Sequence, residues 1–214
     1  MGDRLRLNTL AGGFPALAQC IGGQPLAYLD NAATTQMPLA VLNAMREFDT
    51  RDRANIHRGV HSLSQRATDA YEAARRQLAH FAGAGASHEV IFTSGTTESL
   101  NLVAHGLSDD GIGPAWLRQG DEIIVSALEH HANLVPWQAA ARRSGARLRV
   151  LLPDAQGRVD EAGLQDLLSP RTCVFALTAC SYCTGHRRPL HSLPARPSPD
   201  RALASGSAAQ AASH

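Results

Sequence analysis

Four consecutive small residues, Ser94-Gly95-Thr96-Thr97, are the first place in the chain where residue type and spacing suggest chemistry. The β-rich run Val90-Ile91-Phe92-Thr93 precedes them. A helix follows from Glu98 through His105, with Leu100, Val103 and Ala104 at helical spacing. A strand, a glycine-containing turn and a hydroxyl-rich helix start make a geometry suited to a phosphate group. The first N–H groups of a helix have no intrahelical acceptor, and the helix dipole is positive at that end. Gly95 lets the backbone approach closely, and the Thr96 and Thr97 hydroxyls add donors. Glu98 suits the same helix end. Taken alone, the tetrapeptide also reads as an ordinary helix cap.

Two other clusters carry reactive side chains. In Glu129-His130-His131-Ala132-Asn133 the two adjacent histidines diverge, which makes a poor metal site. A histidine ring at a strand end can stack on a planar ligand and exchange protons; a surface His pair in a loop is the alternative. Cys180-Ser181-Tyr182-Cys183 spells CxxC. Zinc would need a second pair, which Cys20 and Cys173 do not supply. A redox dithiol would need its first cysteine to open a helix, and Gly185 and Pro189 oppose that. The four cysteines read as reduced structural thiols.

The elements that must position these residues follow from periodicity. Residues 4–18 read as a short amphipathic helix, and Pro25 to Asp30 as a short strand entering the loop Asn31-Ala32-Ala33-Thr34-Thr35. Residues 38–50 are helical with Val41, Leu42, Met45 and Phe48 on one face. A polar loop covers Arg51 to His61. Ser64 to Phe81 is a longer helix expected to turn Ala67, Ala70, Tyr71, Ala74, Leu78 and Phe81 inward. Beyond the SGTT turn, strands at Glu122–Ala127, Arg147–Leu152 and Cys173–Ala179 alternate with helices at Asn133–Ser144 and Asp160–Leu168. That alternation predicts an α/β fold with a mostly parallel sheet flanked by helices. Ligands in such sheets sit at the C-terminal strand ends. Ser94–Thr97, Glu129–Asn133 and Ser181 all fall there.

Composition narrows the class. The chain has 214 residues, 44% hydrophobic and 18% charged, which is globular. A net charge of +1 favours neither nucleic acid nor membrane as a partner. No apolar run is long enough to span a bilayer, and the charged start MGDRLRLNTL does not read as a signal peptide. The expected location is the cytoplasm. The sequence contains no lysine; all 20 residues counted as Lys or Arg are arginine.

Several motifs together resemble the group II cysteine desulfurases, class V aminotransferase-family enzymes that use pyridoxal phosphate (PLP); the family also contains selenocysteine lyases. They are PLAYLDNAATT at 25–35, NIHRGVHSLS at 55–64, SGTTESLNLVA at 94–104, GDEIIVSALEHHANLVPW at 120–137 and PRTCVFALTACS at 170–181. The resemblance covers residues 9–181 and implies the N-terminal part of a fold type I large domain, PLP as cofactor, and a homodimer. It also implies sulfur transfer from L-cysteine, leaving alanine and an enzyme persulfide for a sulfur-acceptor protein. By resemblance, Thr96 and Thr97 bind the cofactor phosphate and His130 stacks on the pyridine ring. Ala32, Ala33 and His57 belong to loops near the substrate, with Arg58 beside His57. Glu129 and Asn133 tie the His130 loop to backbone groups.

After Ser181 the motifs stop matching. At ungapped family spacing, Tyr182 stands where an Asn should meet the cofactor's phenolic oxygen, and Ser207 where an Asp should pair with the pyridine nitrogen. Gln210 falls on the family Gln, as if a frameshift near residue 182 were restored near residue 208. Residues 1–181 therefore read as an N-terminal arm and half a large domain, and 182–214 as a divergent, disordered tail. Without lysine the cofactor cannot be held covalently, and none of Cys173, Cys180 and Cys183 can take the family's nucleophile role. The expectation is a truncated, catalytically inactive desulfurase-like chain; the alternative is a non-catalytic binding or dimerising homologue. The fold type I strand order, 3-2-4-5-6-7-1, would make Val90–Thr93 strand 1 and Ala202–Ala208 a degraded strand 5. With strands missing, the chain is expected to be insoluble, chaperone-bound or partly molten, with residues 183–206 lacking regular packing.

Overall fold

The run Ile123-Ile124-Val125 is too apolar to face water on either side, so its strand must lie inside a sheet covered on both faces. A computed structural model describes residues 12–84, 90–111, 116–159, 161–185, 187 and 203–205, which divide into two units at Phe92/Thr93. In the second unit β3 (Glu122–Ser126), β4 (Arg147–Leu151), β5 (Thr172–Ala176) and β6 (Leu203–Ser205) form a parallel sheet in the order β4-β3-β5-β6. Every residue of β3 and β5 is buried. The order is the 3-2-4-5 portion expected of fold type I.

The two faces bury different sets. Ile123 and Val125 face the helices α3 (Thr96–Ser108) and α4 (Val135–Ser144), packing with Ala104, Leu117, Trp137 and Ala140. Ile124 and Phe175 face the other way, toward Leu164 of α5 (Glu161–Leu167). Side chains alternate along a strand, so this run serves both layers. Each fully buried Ile or Val contributes about 1.5–3 kcal/mol. The alternation slips once: Glu122 pairs with Thr172, but Ile123 pairs with Val174, which leaves Cys173 as a bulge residue.

The first unit is built differently. β1 (Cys20–Ile21) and β2 (Gln24–Pro25) form a tiny hairpin. Gly22 and Gly23, at φ 60° and 79°, make its two-residue turn, which needs positive φ at both positions. The helix α1 (Leu39–Glu47) runs into a π-helical turn, Phe48–Asp52. The long helix α2 (Ser62–Phe81) is capped by His61, whose Nδ1 accepts from Ser64 N at 3.2 Å.

Several expectations are corrected. Val90–Thr93 is not a strand: it pairs with nothing among the described residues and is held by side chains instead. The Arg75 guanidinium donates to Val90 O, and Tyr71 meets Phe92 edge-on at 5.2 Å. A lone strand without a neighbour has no ladder to satisfy it. Helix α2 buries Ser64, Ala67 and Ala79, whereas Ala70, Ala74, Leu78 and Phe81 are exposed and Tyr71 is half-buried, and α1 buries no residue. Amphipathic spacing marks a face but not whether anything covers it. Within 183–206, Leu203–Ser205 pairs with β5 and so departs from the expected lack of packing. Of the N-terminal helix only a 3-10 turn, Pro15–Ala18, lies among the described residues.

Candidate functional site

The strand order places the site. From β3 the chain steps to β4 on one side, then crosses to β5 on the other, so the direction of winding reverses between β3 and β5. Loops leaving the C-terminal ends at such a reversal splay apart and form a crevice. The loops here are Ala127–Asn133 after β3 and Leu177–Gly185 after β5. Helix α3 packs against α4 and against the His131–Asn133 turn.

At the SGTT turn Gly95 is the residue before α3, at φ 157° and ψ 177°, a region that essentially only glycine occupies. Thr96 is half-buried and Thr97 exposed; neither hydroxyl has a recorded partner among the described residues. Thr93 Oγ1 and Ser99 Oγ, 2.7 Å apart, tie the turn to the first helical turn. Glu98 folds back: its Oε2 accepts from Ser94 N at 2.6 Å and from Ser94 Oγ at 2.5 Å. The Ser94 hydroxyl and then its amide hold the Glu98 carboxyl below its ordinary range.

The loop after β3 is anchored by a buried carboxylate. Glu129 Oε1 accepts from Ser126 Oγ at 2.6 Å and from Thr178 N at 2.9 Å. Its Oε2 accepts from Asn133 Nδ2 at 2.7 Å, and Asn133 Oδ1 accepts from Trp137 Nε1 at 3.1 Å. Indole N–H can only donate and a carboxylate can only accept, so the orientation of the Asn133 amide is fixed. This chain of bonds clamps β3 to β5 across the crevice and to the start of α4. It holds His130 outside the core: the ring is exposed, and its Nδ1 accepts from Ala132 N at 3.1 Å. That bond leaves the imidazole proton on Nε2. Across the crevice the Tyr182 ring meets His130 edge-to-face at 5.5 Å. Hydrogen bonding to the adjacent Cys183 sulfur pushes the Tyr182 phenol up.

In the first unit Ala32 and Ala33 are exposed in a turn closed by Ala33 N to Asp30 O at 3.2 Å. His57 takes a left-handed backbone, φ 65°, the one non-glycine residue to do so among the described residues. Its N–H donates to Thr68 Oγ1 at 3.0 Å, and its Nε2 lies 3.4 Å from Glu72 Oε1. Positive φ in a side-chain-bearing residue costs energy that the surroundings must hold. Gln210 and Ser207 lie outside the described residues. Sequence reasoning missed the Ser94–Glu98 pairing and the Tyr182–His130 contact. The i, i+4 spacing of Ser94 and Glu98 is a signal for the first; nothing local signals the second.

The donor set fits the phosphate end of a pyridoxal cofactor: a glycine turn, two threonine hydroxyls without recorded partners and a helix start. An exposed imidazole at the neighbouring strand end fits a planar ring. The covalent end has no counterpart, since these residues include no lysine. No group of three metal-ligating side chains exists among the described residues, and no described helix is long and apolar enough to cross a membrane.

Solved structures share this fold. A cysteine desulfurase from Thermococcus onnurineus, in apo form, aligns with a TM-score of 0.68 at 37% identity, covering 80% of this chain and 42% of that one. The Escherichia coli cysteine desulfurase CsdA, in S-sulfonic acid form, aligns with a TM-score of 0.65 at 36% identity, covering 86% and 43%. The fold is therefore that of the fold type I pyridoxal-phosphate enzymes, represented by part of the large domain. The aminotransferase class-V family matches residues 27–214, and the chain belongs to that family. The match runs past Ser181, where the recognisable motifs end. A probable cysteine desulfurase from Vibrio cholerae is 43% identical over 189 residues, 88% of this chain and 46% of that protein. The cysteine desulfurase of Synechococcus elongatus is 46% identical over 172 residues, 80% of this chain and 27% of that protein. The chain spans less than half the length of these relatives.

Proposed function

We propose that these residues are a truncated, amino-terminal part of a cysteine desulfurase-like fold, carrying the phosphate end of its cofactor site. Taken alone, they do not release sulfur from L-cysteine. The observation that carries this reading is the absence of lysine from a chain that otherwise keeps the SGTT turn and the His130 loop. When bound, pyridoxal phosphate supplies an electron sink for cleavage chemistry at an amino acid. This chain's residues would bind and orient it: Thr96 and Thr97 at the phosphate, His130 against the ring, and Gln210 as a further contact by family position. Ala32, Ala33 and His57 are assigned to substrate loops by the same resemblance. Residues 1–181 form the family-like part and 182–214 the divergent tail, and the location is the cytoplasm. Tyr182 takes the place of a family Asn, and its ring lies against His130.

The test is borohydride reduction after incubation with pyridoxal phosphate, followed by intact mass, with alanine assayed after addition of L-cysteine. No trapped cofactor beyond the chain's α-amine and no alanine above that formed with free cofactor are expected. A trapped adduct on a side chain, or alanine production, refutes the reading. A second reading, a non-catalytic dimerising homologue, draws on the exposure of Val41, Leu42 and Met45 on α1. Sedimentation of a soluble, cooperatively melting dimer would favour it.

A further inference from the structure

We propose that the outer edge of β4 is a docking site for an extended, acidic segment of another protein, added to the sheet as a further strand. This site is separate from the crevice and does not depend on the cofactor reading. β4 is the end strand of the order β4-β3-β5-β6. Arg147 N donates to Asp121 O at 2.7 Å and Leu151 O accepts from Ala127 N at 2.9 Å, so the odd-numbered residues of β4 turn their backbone groups toward β3. Successive residues of a strand point these groups to opposite sides, so those of Leu148 and Val150 face away from the sheet. Neither residue's N–H or C=O has a recorded partner among the described residues. A row of such donors and acceptors is a template for another strand.

The side chains beside that edge select the kind of strand. Leu148 lines a groove with Ala146 and with Gln138, Ala141 and Arg142 of α4. Val150 lies on the same face as Leu148 and is exposed. An added strand would set every second side chain over this largely apolar floor. Charge decides the rest. From His130 to Pro153 the sequence carries Arg142, Arg143, Arg147 and Arg149 and no carboxylate. Arg149 is paired with Glu122 at 3.0 Å and Arg143 donates to Ser108, but Arg142 and Arg147 have no carboxylate partner among the described residues. Two such charges beside the edge attract an acidic strand and oppose pairing of this edge with a second copy of itself. Main-chain bonds for affinity and flanking side chains for selectivity are the division of labour in strand addition.

The probes are two short peptides, one alternating valine with glutamate and one alternating valine with lysine. Each is titrated into the full chain while the β4 amides are followed by NMR and hydrogen exchange. The glutamate peptide should shift and protect the amides of Leu148 and Val150, and the lysine peptide should bind more weakly. Arg142→Ala should weaken the glutamate peptide by about twofold to fivefold, the worth of one exposed ion pair, without weakening the lysine peptide. Val150→Pro removes one outward N–H at an edge position that tolerates proline, and should weaken the glutamate peptide by about threefold to tenfold. The wild-type amides and Arg142→Ala decide the matter even if the proline variant does not fold. Unchanged Leu148 and Val150 amides, equal binding of the two peptides, or an Arg142→Ala chain that binds the glutamate peptide as wild type does would each overturn the proposal. A peptide-free dimer in sedimentation, with the same two amides already protected, would assign the edge to a second copy and overturn it too.

Discussion

Replacing Glu129 by alanine tests whether the clamp between β3 and β5 holds this end of the sheet. The carboxylate is buried, at 8% exposure, and accepts from Ser126, Thr178 and Asn133. The Ser126 hydroxyl can turn to another acceptor, but the Thr178 N–H belongs to the backbone just after β5 and the Asn133 amide is held by Trp137. A buried donor left without its acceptor costs about 1–3 kcal/mol. Two such donors, plus the lost charge assistance, give roughly 3–5 kcal/mol. Against a total of about 5–15 kcal/mol this is a large fraction. With a urea slope of about 1–3 kcal/mol per molar, the midpoint should fall by about 2 M. Tryptophan fluorescence in urea reads the transition directly, because Trp137 is the last link of the chain of bonds. Glu129→Gln keeps the shape but turns one acceptor into a donor facing donors, so it should lose about 2–3 kcal/mol. A loss under about 1 kcal/mol in the alanine variant would mean that the hydrogen bonds do not carry the clamp.

Two further predictions concern stability away from the crevice. Burial alone would push the Glu122 carboxyl up; hydrogen bonds from Ser169, Arg149 and Thr172, with the Arg149 charge, outweigh it and hold the group below its ordinary 4.5. A depressed folded-state pKa adds stability that is full above the unfolded value and lost as pH falls through the folded one. Between neutral pH and about pH 3, wild type should thus lose more stability than Glu122→Gln; equal losses in paired melts would rule out this linkage. At His57, held at φ 65°, His57→Val should melt lower than His57→Gly by about 1–2 kcal/mol. Equal stabilities would show that the loop relaxes.

Much of the second unit was legible because its signals are local and redundant. Apolar pentads such as EIIVS can only be central strands, and the intervening helices fix a parallel sheet. Glu129 could be read as an anchor to backbone, and it accepts from Thr178 N; Asn133, expected to bond backbone too, instead bonds the side chains of Glu129 and Trp137. The misreadings share a cause. Val90–Thr93 has strand composition, but a strand exists only with a neighbour, and none of the described residues provides one. Leu78 and Phe81 of α2 sit at helical spacing for burial, yet their exposure is decided by what packs there, not by period. The Cys173 bulge was invisible because a one-residue slip leaves the apolar run unchanged. Tyr182 reaches His130 only through the turn after β5, a contact with no sequence spacing to announce it.

The order β4-β3-β5-β6 also bears on how the chain would assemble as it leaves the ribosome. The first strand of this sheet to emerge, β3, ends up in the interior. β4 then joins one free side of it, β5 the other, and β6 the outer side of β5. No strand has to be inserted between two that are already paired, so every docking step meets an open template. Synthesis at about 5–20 residues per second allows several seconds between β3 and β5. During that interval the unpaired flank of Ile123, Ile124 and Val125 is the surface a chaperone would find.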